Sequence, residues 1–218
     1  MNFTIKDAQI DDLNSIAKCH LSAFRQSVAT LLGLSFTKKM LQWYLSAPNK
    51  FLFWIEENDE CIGYCGGYLM DGSDAHGSAS GMTQFGFVTA VKLMLRKPWL
   101  IFHPEIRARY PFIIRNIKTY FKPKATTPKL EFSNKKNHKN MTLIAGLVVI
   151  GVKPSLHKKG IGSALQQEFE SRAKSMGAQQ LQLSVRKKNT SAIASYERNG
   201  WQIESEGSIS YVMNKIIV

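Results

Sequence analysis

Two short constellations in the last third of the chain have residue types and spacing suited to chemistry. The first is His157-Lys158-Lys159-Gly160-Ile161-Gly162, between an apolar run and a segment of helical spacing. Glycines at a strand-to-helix turn aim unpaired backbone amides and the positive end of the helix dipole at one point. That is a site for phosphate. Gly160 and Gly162 let an anion approach with no Cβ in the way, and Lys158 and Lys159 add charge. Taken alone, the loop reads equally well as an ordinary αβ turn that carries lysines. The second constellation is Asn189, Ala192, Tyr196 and Gly200-Trp201.

The elements around them can be read off the pattern. Leu147 to Val152 has the length and β-branched content of a strand, ended by Pro154. Ile161, Ala164, Leu165, Phe169, Ala173 and Met176 recur at three- and four-residue steps, one apolar helix face, with Gly177 as its stop. Leu181, Leu183 and Val185 alternate as a strand, and Asn189 to Arg198 reads as a short helix capped by Asn199-Gly200.

This pair of segments resembles motifs A and B of the GNAT superfamily of acetyl-CoA-dependent N-acetyltransferases. The family's loop pattern, (Arg/Gln)-x-x-Gly-x-(Gly/Ala), is met here at Gly160 and Gly162, with His157 in place of the usual arginine or glutamine. The second pattern, Asn-x-x-Ala-x-x-x-Tyr-x-x-x-Gly-(Phe/Trp), is met at Asn189, Ala192, Tyr196, Gly200 and Trp201.

The resemblance implies direct transfer from the thioester of acetyl-CoA to a primary amine in a ternary complex, with no metal. It implies that the pantetheine arm pairs with the strand around Ile150 to Val152. The pyrophosphate would sit on the amides of His157, Lys158, Lys159, Gly160, Ile161, Gly162 and Ser163. Asn189 would orient the pantetheine. Tyr196, at the general-acid position, would also line the cofactor and protonate the leaving thiolate; a phenol of pKa about 10 and a thiol of about 8.5 are close enough for concerted transfer. In many relatives a glutamate on the strand before the loop is the base, but Met141 to Val152 has no acidic residue. Glu56, Glu57, Asp71, His76 and a water chain stay open for that role, as does an acceptor already partly neutral.

Earlier in the chain, Phe3 to Ile5 reads as a first strand. A helix opened by Asp11-Asp12 follows, with His20 on its apolar face, where a packed core histidine is the ordinary reading. Ser35 opens a second helix that stops before Pro48, and Phe51 to Glu57 and Glu60 to Met70 form a hairpin about Asn58-Asp59. The last strands hold Trp201, Ile203, Ile209, Tyr211 and Met213. The expected fold is thus α/β (α+β), a GNAT fold: one domain over 1–218, with a mixed, mostly antiparallel twisted sheet of about seven strands flanked by helices.

An insertion, residues 71–140, separates the third and fourth strands. It starts loosely among glycines and serines. Two helices follow, one from Phe87 to a stop at Pro98, the other from Phe112 to Phe121 with Pro111 in its first turn, and then a mobile arm from Lys122 to Asn140. The insertion carries 13 Lys or Arg against four Asp or Glu, a net of +9 of the chain's +13. Basicity is a property of this segment, not of the fold. Amphipathic helices with a solvated basic outer face account for it, as does recognition of an anionic acceptor. The N-terminal pattern and the insertion resemble, more loosely, a GNAT subgroup of bacterial polysaccharide assembly, which implies an amino sugar or nucleotide-linked amino sugar as acceptor. Protein, peptide or small-molecule amines are the alternatives. A different class is a basic module that lies on membrane or nucleic acid; nucleic acid is not expected, and peripheral membrane contact through the insertion stays open.

The longest apolar run, Leu143 to Val152, is far too short to span a bilayer, and Met1-Asn2-Phe3 leads into folded-looking sequence without a signal-peptide pattern. Cys61 and Cys65 lie on one strand about 13 Å apart, too far for a disulfide. With Cys19 they point to a reducing cytoplasm, as a monomer or homodimer.

Overall fold

The Asn58-Asp59 turn joins β2 (Lys50–Glu57) to β3 (Glu60–Met70). Both turn residues have positive φ, 50° and 60°, the conformation of a two-residue turn whose twist matches the flanking strands. The computed structural model describes residues 3–70, 78–107, 110, 114 and 142–217. The other strands are β1 (Thr4–Asp7), β4 (Ile144–Val152), β5 (Gln180–Arg186), β6 (Gln202–Glu206) and β7 (Ser210–Ile216). They form one sheet in the order β1-β2-β3-β4-β5-β7-β6, antiparallel throughout except for the β4–β5 pair. The expected mixed, mostly antiparallel sheet of seven strands is what forms.

One face of the sheet is covered by α1 (Leu13–Ala23), α2 (Val28–Leu32) and α3 (Leu34–Gln42), which continues as a 3₁₀ turn, Trp43–Leu45. Leu13, Ile16 and Ala17 pack there on Trp54, Tyr64 and Tyr68. The other face carries α6 (Ile161–Ser175), whose Ile161, Leu165 and Phe169 bury against Phe53, Ile55 and Leu147. The alternation of side chains along each strand feeds these two cores in turn.

Three sequence readings change. The helix expected from Ser35 forms as α3, and a helix the spacing did not announce, α2, precedes it. α2 is capped by Ser27, whose hydroxyl accepts from the Thr30 amide at 3.2 Å, and a left-handed Gly33 separates it from α3. The inserted segment does not start loosely up to Phe87. From Ser78 it is helical as α4 (Ser78–Arg96), which runs through Gly81 and Gly86. Gly86 is there because α4 lies close on α3: a Cβ would stand 3.0 Å from the Phe36 ring. Finally, α4 and the following 3₁₀ turn, Pro98–Phe102, do not show a purely basic outer face. Leu95, Trp99 and Phe102 are 77%, 62% and 74% exposed beside Arg96 and Lys97. The short α5 (Pro104–Arg107) follows. The second expected helix (apart from residue 114), the arm from 122 to 140, Asp71 and His76 lie outside the described residues.

Cys19, Cys61 and Cys65 are buried free thiols. The neighbour of Cys61 is not Cys65 but Cys19 on α1. A thiol hydrogen bond between those two lowers the Cys19 pKa and raises that of Cys61. Among the described residues no helix is long and apolar enough to cross a membrane.

Candidate functional site

The parallel pair of strands opens like a fork. β4 and β5 are in register from Ile144↔Gln180 to Leu147↔Leu183, and there their pairing stops. Beyond that point β5 stays with β7 as far as Arg186↔Ser210, while β4 stays with β3 as far as Val152↔Gly63. The parting coincides with a bulge. The β3–β4 register slips between Gly66↔Val149 and Gly67↔Leu147, which leaves Val148 as an extra residue that bends β4.

The bend leaves backbone groups facing the gap. The Lys153 amide donates to the Ile62 carbonyl at 2.9 Å, so Val152 and Gly63 are a non-hydrogen-bonded pair. The amide and carbonyl of Val152 therefore point away from β3, into the fork. Ile150, two residues back in the same register, presents its own pair the same way. The strand edge here is open to an extended ligand that adds as a strand does.

Past the fork, a 3₁₀ turn (Pro154–Leu156) leads through His157 to Gly160 and into α6. Gly160 is the N-cap, at φ +83°, and no side chain caps the helix. Lys158 also takes a left-handed φ of +64°. A Cβ built on Gly160 or Gly162 would meet nothing within 4 Å, so the space where a side chain would stand at this turn is open. Lys158 and Lys159 are exposed at its rim. The first amides of an uncapped helix, with open space at the turn and lysines beside, can take an anion. Ser163 is tied to the next motif: its hydroxyl accepts from Asn199 Nδ2 at 3.2 Å. His157 turns back instead of outward. Its Nε2 donates to the Val152 carbonyl at 3.2 Å, one of the groups that face the fork.

Tyr196 comes from α7 (Thr190–Arg198) and is buried with Leu147, Leu183 and Val185, the side chains at the parting of the strands. Its ring packs at 5.8 Å from that of Trp201. Burial, with a smaller contribution from nearby Cys65, holds its phenol well above the ordinary value. The hydroxyl therefore keeps its proton across the neutral range. Asn189 is the N-cap residue of α7 but makes no capping bond with its side chain; its Oδ1 accepts from the Ser191 hydroxyl at 3.4 Å.

The structure thus gathers Ile150, Val152, His157 and the Gly160–Ser163 turn about one opening, with Tyr196 packed at its root and Asn189 just beyond the end of β5. Of the base candidates, Glu56 of β2, two strands from the fork, is engaged by Lys6 of β1. Glu57 sits at the β2–β3 turn. One contact at the mouth had no signal in the spacing: Arg186, the last residue of β5, pairs with Glu105 of α5 at 3.4 Å. An exposed pair of this kind stabilises little, but it puts the insertion beside the fork. Among the described residues no cluster of His, Cys, Asp or Glu could hold a metal ion.

The uncapped, glycine-rich start of α6 is where the resemblance in motifs A and B puts the pyrophosphate. Residues 134–201, about a third of the chain, match the model of the acetyltransferase (GNAT) family. Among solved structures, the PaiA N-acetyltransferase of Thermoplasma acidophilum, in complex with coenzyme A, is similar over 100% of both chains, with 13% identity and a TM-score of 0.55. NAA60 of Arabidopsis thaliana, in complex with acetyl-CoA, is similar over 99% of each chain, with 13% identity and a TM-score of 0.58. The ribosomal-protein-S18-alanine N-acetyltransferase of Escherichia coli matches over 99% of this chain and 94% of its own, at 14% identity and a TM-score of 0.53. Identities this low establish the fold and nothing finer. No curated protein matches the sequence.

Proposed function

We propose that the protein is an acetyl-CoA-dependent N-acetyltransferase that moves an acetyl group directly to a primary amine. The observation that carries this is the fork: Ile150 and Val152 offer backbone donors and acceptors to it, in line with the uncapped start of α6. A pantetheine arm fits the open strand edge, and a pyrophosphate fits the amides from His157 to Ser163. Acetyl-CoA supplies the activated thioester; the chain supplies position and protons.

The amine attacks the thioester carbonyl, the carbon–sulfur bond breaks, and the sulfur leaves with the electron pair. Tyr196 gives its proton to that sulfur. Its raised pKa opposes full transfer ahead of bond cleavage, so proton and sulfur must move together. Asn189 orients the arm. With no carboxylate on β4, water in the fork is the route by which the acceptor ammonium loses its proton.

For the acceptor we propose an amino sugar, on a nucleotide carrier. The support is the +9 charge of residues 71–140 together with the contact of α5 with Arg186, which brings that segment to the mouth of the fork. The test is a thiol-release assay with acetyl-CoA against nucleotide-linked amino sugars, peptides and simple amines. Turnover of the nucleotide-linked sugars is expected to lead. Preference for peptides or for simple amines would replace the acceptor and leave the acetyltransferase intact; no thiol release with any amine, from protein that binds acetyl-CoA, would remove the activity itself.

A further inference from the structure

The face of α4 turned away from α3 is exposed. Gly86, Ala90 and Leu93 lie toward α3, against Phe36 and its neighbours. Val88, Lys92 and Leu95, at four- and three-residue steps, share the opposite face, and all three are exposed. The 3₁₀ turn that follows extends this face. Trp99 and Phe102 are three residues apart, so their side chains stand one above the other, while Leu100 is turned inward and buried. Ile101 is exposed beside them. Hydrogen bonds hold the turn in this pose. The Leu100 amide donates to the Lys97 carbonyl at 3.0 Å, the His103 amide to the Leu100 carbonyl at 3.0 Å, and the Tyr110 hydroxyl to the Ile101 carbonyl.

An exposed run of large apolar side chains, Val88, Leu95, Trp99, Ile101 and Phe102, marks a contact surface. The charge around it names the partner. From Ser78 to Arg107 the basic residues are Lys92, Arg96, Lys97 and Arg107, and the one acid is Glu105, already engaged by Arg186. Among the described residues none of the four basic side chains meets a carboxylate. The surface they fit is apolar just beneath a layer of negative charge, which is the profile of an anionic bilayer. Single-stranded nucleic acid would match the charge and stack on the rings, but Val88, Leu95 and Ile101 would have nothing to do there. The indole of Trp99 has the apolar ring and N–H suited to the headgroup level.

We propose that the end of α4 and the 3₁₀ turn after it form a peripheral docking site for anionic membranes. Leu95, Trp99 and Phe102 enter the headgroup–acyl boundary, while Lys92, Arg96 and Lys97 reach the lipid phosphates. Glu105 follows Phe102 by three residues and pairs with Arg186, so docking holds the mouth of the fork near the membrane surface. The site does not rest on acetyl transfer, and loss of that activity would leave it standing.

Trp43, Trp54 and Trp201 are buried, so a change of tryptophan emission on contact reports Trp99. The full chain is titrated with vesicles of phosphatidylcholine containing about 30% phosphatidylglycerol, and with vesicles of phosphatidylcholine alone. The anionic vesicles should shift the emission to the blue and bind about tenfold more tightly than the neutral ones. Leu95→Ser/Phe102→Ser alters two exposed side chains and keeps every charge of the chain. In this folded double variant, affinity for the anionic vesicles should fall about tenfold or more. Absence of a blue shift, equal affinity for the two kinds of vesicle, or undiminished affinity in the double variant overturns the proposal. Binding of single-stranded RNA that anionic vesicles do not displace overturns it in favour of nucleic acid. Dimerisation of the free chain that the double variant abolishes overturns it too, since the face would then belong to a second copy.

Discussion

The motif segment and the insertion meet at Arg186 and Glu105, and they are built on opposite principles. From β4 through α7 the useful groups are backbone. Ile150 and Val152 face the fork with amides and carbonyls, and Gly160 to Ser163 face it with helix amides. In the insertion the work is done by side chains: Leu100 and Ile106 are buried, Leu95, Trp99 and Phe102 are outward, and basic residues stand among them. A site made of backbone tolerates changed side chains. His157 can stand where relatives have arginine or glutamine, and the turn keeps its shape. A surface made of side chains has no such latitude, and its specificity can change without the fold changing.

The sharpest way to break this contrast is to block the backbone site without disturbing the fold. Gly160 is a poor choice, because at φ +83° any side chain is strained whatever the space around it. Gly162 has ordinary φ and open space. In Gly162→Trp, acetyl-CoA binding should disappear from calorimetry while the melting temperature of the free protein stays within about 2 °C of wild type. In the wild type acetyl-CoA should raise that temperature by mass action. Wild-type-like affinity in Gly162→Trp would mean that the cofactor does not pass over this turn.

The next test asks for one side-chain contribution inside the backbone site. Tyr196→Phe keeps the ring against Trp201 and removes the hydroxyl proton. Turnover should fall about 10²-fold, the lower end for a general acid, with cofactor affinity nearly unchanged. An unchanged rate, in an assay limited by chemistry, would make Tyr196 a core residue like its neighbours Leu183 and Val185.

The same contrast explains what the sequence made legible. Gly160, Gly162, Gly177 and Gly200 are punctuation, and three of them, all but Gly162, hold the left-handed backbone that a turn or helix end requires. So the motif segment, and the sheet around it, could be read almost residue by residue. The fork could not. It comes from one extra residue, Val148, in a run of apolar residues where no position stands out. α2 escaped because five residues are too few for a period to show, although Ser27 and Gly33 bracket it. The early start of α4 was hidden by glycines that read as loop, when the missing Cβ of Gly86 leaves room for the Phe36 ring. The Arg186–Glu105 pair spans 81 positions, and nothing local announces it.

His157 offers the finest test, because at this one place side chain and backbone compete. Its Nε2–H holds the Val152 carbonyl, which in the proposed binding mode also accepts from a pantetheine amide. Where the imidazole and the cofactor compete for that carbonyl, binding releases the imidazole first. In His157→Ala that step vanishes, while Lys158 and Gly160 still set the shape of the turn. The bond is exposed and its net worth small, roughly 0.5–1.5 kcal/mol. Acetyl-CoA should accordingly bind about two- to tenfold more tightly to His157→Ala by calorimetry. Weaker binding would show the opposite: that the imidazole swings onto the cofactor, as the arginine or glutamine of the family's pattern would, and that the turn is not a purely backbone device.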